Sequence, residues 1–143
     1  MAKQGNTQEI IRCLGFDYGK RRIGIAVGQT FTQQAESLAV VRAQKGVPDW
    51  SHIDTLVTQW QPALFVIGIP LNMDGTTQNM TKAALVFKKN LEARYGIRTE
   101  TVDERLTSYT AKQALSTKQA KSGLVDAESA RLILQDWLDN HNN

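Results

Sequence analysis

The sequence predicts an α/β fold built on one mixed sheet, and three observations carry that expectation. Residues 11–43 hold three segments of strand character joined by short turns. Residues 63–70, ALFVIGIP, are a short continuous apolar run, the pattern of a strand buried on both faces. The segments that follow Pro48 and Asn72 carry apolar residues at helical spacing.

Each element can be justified in order. Ile11 to Asp17 is apolar and ends in an acid, and Tyr18 to Arg22 is a turn around Gly19. Ile23 to Thr30 alternates Ile23, Ile25 and Val27 against Gly24, Ala26 and Gly28, which is strand periodicity with one face of small residues. Such a face implies that another element packs closely against it. Glu36 to Ala43 is a third strand, and the short connections make these three an antiparallel meander.

Pro48 and Asp49 open a helix with Asp49 as its N-cap, and Trp50, Ile53, Val57 and Trp60 recur along one face. After the fourth strand and a loop at Asn72 to Gly75, a second helix places Met80, Ala84, Phe87, Leu91 and Tyr95 together and stops at Gly96. Ile97 to Glu104 is a weaker strand at a sheet edge. Thr107 caps a further helix that dissolves into Ser116 to Gly123. The last helix runs from about Val125 to Asp139 with Ala130, Ile133 and Trp137 inward. The order is therefore βββ-α-β-α-β-α-α, a five-stranded sheet of three antiparallel strands plus two reached by parallel, right-handed crossovers. Residues 11–143 are expected to form a single domain behind a flexible tail of residues 1–10.

Composition narrows the function classes. The 17 Lys and Arg exceed the 14 Asp and Glu by three, a mildly basic balance that permits a polyanionic partner without demanding one. One cysteine, Cys13, rules out an internal disulfide and a cysteine-rich zinc site, and reads as a small buried hydrophobe in a reducing compartment. The first ten residues are mostly polar and lack the roughly 7–15-residue apolar run of a signal peptide. No stretch approaches the roughly 20 apolar residues of a membrane span. A cytoplasmic protein is expected.

Three acids fall where this topology gathers side chains. Asp17 ends strand one, Glu104 ends strand five at the same edge, and Asp126 shares the inward helical face of Ala130, Ile133 and Trp137. In open α/β sheets ligands bind outside the carboxyl ends of the strands, where the chain reverses its direction across the sheet. Converging carboxylates repel one another or recruit a cation, and oxygen ligands without His or Cys suit Mg²⁺ or Mn²⁺. Two such ions can activate water and stabilise the leaving oxygen of a phosphodiester. Lys20, Arg21 and Arg22 follow Asp17 directly and could hold flanking phosphates. Arg105 beside Glu104, and Lys118 and Lys121 before Asp126, are further cations for a nucleic acid. Bland readings stand beside these: a turn residue for Asp17, a helix-dipole acid for Asp126, a surface ion pair for Glu104 with Arg105, and a turn residue for Asp74 in Met73-Asp74-Gly75.

Four blocks of the chain resemble the YqgF family, also called RuvX. They are Gly15 to Val27 (GFDYGKRRIGIAV), Val66 to Thr76 (VIGIPLNMDGT), Asp103 to Ser108 (DERLTS) and Val125 to Ala130 (VDAESA), in the family's order. The resemblance implies an RNase H-like fold with a central five-stranded sheet. It also implies a nuclease linked to maturation of the 5′ end of pre-16S ribosomal RNA, in a family also labelled Holliday junction resolvase. The acids of its motifs fall on Asp17, Glu104 and Asp126. RuvC-type resolvases share the fold but carry a glutamate on strand four, where this chain has Gly68-Ile69-Pro70 and no acid until Asp74. That departure counts against junction resolution more than against nuclease activity. The expected partner is nucleic acid, a ribosomal RNA precursor or branched DNA, handled by a monomer or homodimer away from membranes. Two competing classes are an ATP-binding phosphotransferase, since actin-like and sugar-kinase proteins open with a similar strand-Asp-x-Gly turn, and a non-catalytic nucleic-acid-binding assembly factor.

Overall fold

Alternating apolar residues in the first third of the chain build a meander of β1 (Arg12–Asp17), β2 (Arg22–Gln29) and β3 (Gln34–Gln44). The computed structural model describes residues 10–103 and 124–141. The expected N-terminal tail therefore falls almost wholly outside the described residues. So do the helix expected from Thr107 and the stretch from Ser116 to Gly123.

The sheet has six strands rather than the expected five, in the order β4-β3-β2-β1-β5-β6. The extra strand is β4 (Val47–Pro48), which folds back on Ala43 and Gln44 after a turn through left-handed Lys45 (φ 52°) and Gly46 (φ 85°). Pro48 fits there because an edge strand does not require every residue to donate to the ladder. Helix α1 (Trp50–Trp60) begins just beyond, with the Asp49 carboxylate accepting from the His52 amide at 3.4 Å.

The crossovers are as the sequence implies. β5 (Leu64–Ile69) lies parallel to β1, and β6 (Arg98–Asp103) lies parallel to β5 at the sheet edge. Between them α2 (Asn79–Tyr95) is capped by a reciprocal pair of Gln78 and Thr81 and ends on left-handed Gly96. The Thr81 hydroxyl also donates to the Pro70 carbonyl, fixing the start of α2 to the end of β5. No helix among the described residues is long and apolar enough to cross a membrane.

Strand alternation splits the core in two. Leu14, Phe16, Ile23, Ile25, Phe65 and Ile67 face α1 and α2, where they meet Ile53, Ala84, Phe87 and Leu91. Cys13, Ala26, Leu64, Val66 and Val102 face the last helix, α3 (Leu124–Asn140), through Ala130, Ile133, Leu134, Trp137 and Leu138. Cys13 is fully buried there, and burial pushes its thiol up to about 12, so it behaves as a hydrophobe. The small-residue face of β2 is the seat of α3. A Cβ on Gly28 would stand 3.2 Å from Leu134, and on neighbouring β1 one on Gly15 would stand 2.7 Å from the same side chain.

On the other face, α1 and α2 are tied by Asp54. Its carboxylate accepts from Arg94 Nε at 2.9 Å, from the Arg94 terminal nitrogen at 2.7 Å and from the Tyr95 hydroxyl at 2.6 Å. The Arg94 hydrogen bonds, with that of Tyr95, lower the Asp54 carboxyl from 3.8 to about 2. A depressed carboxyl contributes stability that is complete above its unfolded pKa and is lost as pH falls through the folded value. Asp54→Asn should therefore flatten the decline in urea midpoint between pH 3.8 and about 2, relative to the wild type. Parallel acid limbs would show that the pair adds nothing.

Candidate active site

Asp17 is the last residue of β1, and alternation puts its side chain with Cys13 and Gly15 on the α3 side of the sheet. It is half-buried. The pairings Phe16 with Ile67 and Ile69 with Asp103 align the carboxyl ends of β1, β5 and β6. The chain leaves β1 toward β2 on one side, while β5 lies on the other. Asp17 thus stands at the reversal point where α/β sheets bind ligands.

Asp126 reaches this edge from α3, in the helix's first turn, where the dipole favours an acid. Its position is set by a missing side chain. Gly24 is the β2 partner of Asp17, and a Cβ on Gly24 would overlap the Asp126 carbonyl and lie 2.9 Å from the Ala127 amide. Only glycine lets the helix backbone rest on the strand here. Asp17 and Asp126 thus adjoin the same glycine, one as its partner on the neighbouring strand and the other through the helix backbone that rests on it.

Arg22 opens β2 and gives Asp126 its partner: Arg22 Nε donates to Asp126 Oδ2 at 2.8 Å. With side chains 46% and 22% exposed, the pair is worth on the order of 1 kcal/mol or less, so its main effect is to aim the carboxylate. Lys20 and Arg21 are exposed in the β1–β2 turn. Their carbonyls accept from the Gly46 and Ala43 amides at 3.0 and 2.9 Å, which pins that turn to the end of β3.

Strand β5 carries no acid, and the next one, Asp74, folds a turn: its Oδ1 accepts from the Thr76 amide at 3.0 Å and the Thr76 hydroxyl at 2.7 Å. Glu104, Arg105, Lys118 and Lys121 lie outside the described residues. Among the described residues, no three His, Cys, Asp or Glu side chains are gathered to hold a metal ion. Sequence reasoning expected a close approach at Gly24 without identifying the helix, and missed Arg22 as a carboxylate partner. The Gly-x-Ala-x-Gly spacing signalled the first, and nothing local signalled the second.

Comparison with known proteins agrees with this architecture. A family model described as RuvX, Holliday junction resolvase, matches residues 11–140. A protein of Pseudomonas paraeruginosa is 46% identical over 134 residues, covering 91% of this chain and 93% of its own length. One of Azotobacter vinelandii is 48% identical over 129 residues, covering 87% and 91%. Both are named "Putative pre-16S rRNA nuclease". Among solved structures, RuvC of Thermus thermophilus in complex with a Holliday junction substrate superposes with a TM-score of 0.58 at 14% identity, covering 91% of this chain and 95% of that one. A fowlpox virus resolvase in complex with junction DNA gives 0.57 at 8% identity, covering 91% and 98%. At those identities the likeness is one of fold, and it shows the mixed sheet with flanking helices to be RNase H-like, as the resolvases are. With the family model spanning nearly the whole chain and relatives this similar along their full length, the chain belongs to the RuvX family.

Proposed function

We propose that the chain is a cytoplasmic nuclease that cuts the phosphodiester backbone of a ribosomal RNA precursor at the 5′ side of 16S RNA, with residues 11–143 acting as one domain. The observation that carries this reading is that Asp17, the strand partner of Gly24, and Asp126, whose backbone rests on Gly24, adjoin one glycine at the carboxyl edge of the parallel strands. The names of the relatives support RNA as the substrate.

The donor set fits a hard divalent cation. Asp17 and Asp126 offer carboxylate oxygens from one face of the sheet, and Glu104 is the next residue in sequence after β6. Mg²⁺ or Mn²⁺, as a pair, would be held by these three acids, and when bound would activate a water and stabilise the leaving oxygen. The chain's own residues do the remaining work. Arg22 holds the Asp126 carboxylate in place, and the side chains of Lys20 and Arg21 grip phosphates that flank the cut, with Arg105, Lys118 and Lys121 as further contacts.

The test offers purified protein a labelled 5′-extended 16S precursor and a four-way DNA junction, each with Mg²⁺, Mn²⁺ or EDTA. Cleavage of the RNA is expected, dependent on the metal and faster than that of the junction. A glutamate on β5, as RuvC-type enzymes have, is missing here, which is why the junction should be the poorer substrate. Preferential cutting of the junction would replace the RNA reading with a resolvase. Binding of both without any cleavage would replace it with an assembly factor.

A further inference from the structure

The β3–β4 turn brings two cations to the candidate site that are remote in sequence from the others. Arg42 is the β3 partner of Arg22, so the two guanidinium-bearing residues lie side by side on the α3 face of the sheet. Lys45 holds a left-handed backbone at φ 52°, an uncommon conformation for a non-glycine residue. The Gly46 amide beside it donates to the Lys20 carbonyl at 3.0 Å, and Tyr18 donates its hydroxyl to the Gly46 carbonyl at 2.6 Å, so this turn is locked to the one that follows Asp17.

The result is a basic lip of Lys20, Arg21, Arg22, Arg42 and Lys45, all exposed, along the end of the sheet next to Asp17. Like charges directly opposed across strands cost stability, so the cluster is not explained by folding. Residues 18–48 contain one acid, Glu36, which pairs with Val27 toward the other end of β3. Arg22 alone of the five has an ion-pair partner among the described residues, Asp126. Arg42 and Lys45 also line an open groove of about 690 Å³ with Val47, Pro48 and Asp49. The Asp49 carboxylate at the groove is ion-paired with neither cation among the described residues; it accepts from Ser51 Oγ at 2.6 Å and from the His52 amide as the cap of α1.

We propose that Arg42 and Lys45 extend the site into a phosphate track, along which a nucleic-acid strand runs from Asp17 across the β1–β2 turn to the β3–β4 groove. This rests on the nuclease reading and adds the path of the strand to it. The track reads backbone and not base: none of its five cationic residues is aromatic, and Tyr18 in the same turn stacks on Phe87 with centroids 4.9 Å apart and spends its hydroxyl on Gly46. The occupant is a phosphodiester chain, RNA or DNA.

Binding of labelled single-stranded RNA and DNA oligonucleotides, measured by anisotropy against salt in an Asp17→Asn background without metal, tests the track separately from catalysis. Each lost phosphate contact on a single strand lowers the slope of log K against log salt by about 0.7, so Arg42→Gln with Lys45→Gln should lower it by about 1.4. The pair Lys82→Gln with Lys89→Gln, exposed on α2, removes the same net charge and should leave the slope unchanged. Lys45→Gly is the second variant: it suits the left-handed backbone, keeps the fold and should lower the slope by about 0.7. An effect on both oligonucleotides identifies phosphate as the ligand, and one confined to RNA supports the track with RNA as its occupant. An unchanged slope, or an equal loss from the α2 pair, overturns it. If the wild type cleaves nothing while the slope still falls with Arg42 and Lys45, the nuclease reading fails and the strand path stands.

Discussion

Asp17→Asn should lower metal-dependent cleavage of the RNA precursor by roughly a thousandfold or more and leave the fold intact. The substitution keeps the size and one oxygen of the side chain but removes its charge. A divalent cation supplies several kcal/mol of transition-state stabilisation, and each 1.36 kcal/mol is a tenfold change in rate, so losing a ligand that positions it costs about three decades. Stability should change by less than about 1 kcal/mol, because Asp17 is only half-buried and the substitution changes no packing volume. The pair of measurements is a single-turnover rate in Mn²⁺ and a thermal midpoint, on wild type and variant together. Cleavage at the wild-type rate by rigorously purified Asp17→Asn protein would remove Asp17 from the site, and with it the reading built on the β1 edge. Asp126→Asn should fall nearly as far in rate, with a small extra loss of stability because Arg22 gives up its charged acceptor.

Much of the frame that places Asp17 was legible in the chain. Alternation in Ile23 to Thr30 marked a strand with a small-residue face, and the apolar run at Ala63 to Pro70 marked one buried on both sides; these two strands flank β1 in the sheet. The order of strands and helices then left few topologies open. What escaped was of two kinds. β4 is two residues long, too short to show any period, and exists only because the Lys45-Gly46 turn returns the chain onto Ala43 and Gln44. The contacts of Asp126 with Arg22 and Gly24 join residues about a hundred positions apart, and no local pattern encodes such a pairing. The sequence said that something must lie close against Gly24, Ala26 and Gly28 without saying which helix. His141 is a different case. It stacks on Trp137 with centroids 4.3 Å apart, a contact that the four-residue helical spacing alone allows.

Gly24→Ala should be the most damaging single methyl addition around the site, for stability and for activity together. A Cβ at this position meets backbone, the carbonyl of Asp126 and the amide of Ala127, and neither can rotate away as a side chain would. Either α3 lifts from the sheet or β2 is pushed down, and both loosen the contacts of Ala130, Ile133 and Leu134 with the core. Overpacking of this kind costs about 1–3 kcal/mol, and the rigidity of both partners puts Gly24 at the upper end, about 3. At about 4 °C per kcal/mol for a chain this size, the thermal midpoint should fall by roughly 10 °C. Activity should fall further than the population of folded protein, because the same movement separates Asp126 from Asp17. Gly96→Ala is the control. Its Cβ finds open space, but the backbone sits at φ 64°, so it should cost about 1 kcal/mol through strain alone and leave the cleavage rate of the folded protein unchanged. A Gly24→Ala protein with the midpoint of the wild type would mean that α3 does not rest on β2 at this point. One with a lowered midpoint but the full rate per folded molecule would mean that Asp126 need not stand beside Asp17 for the reaction to proceed.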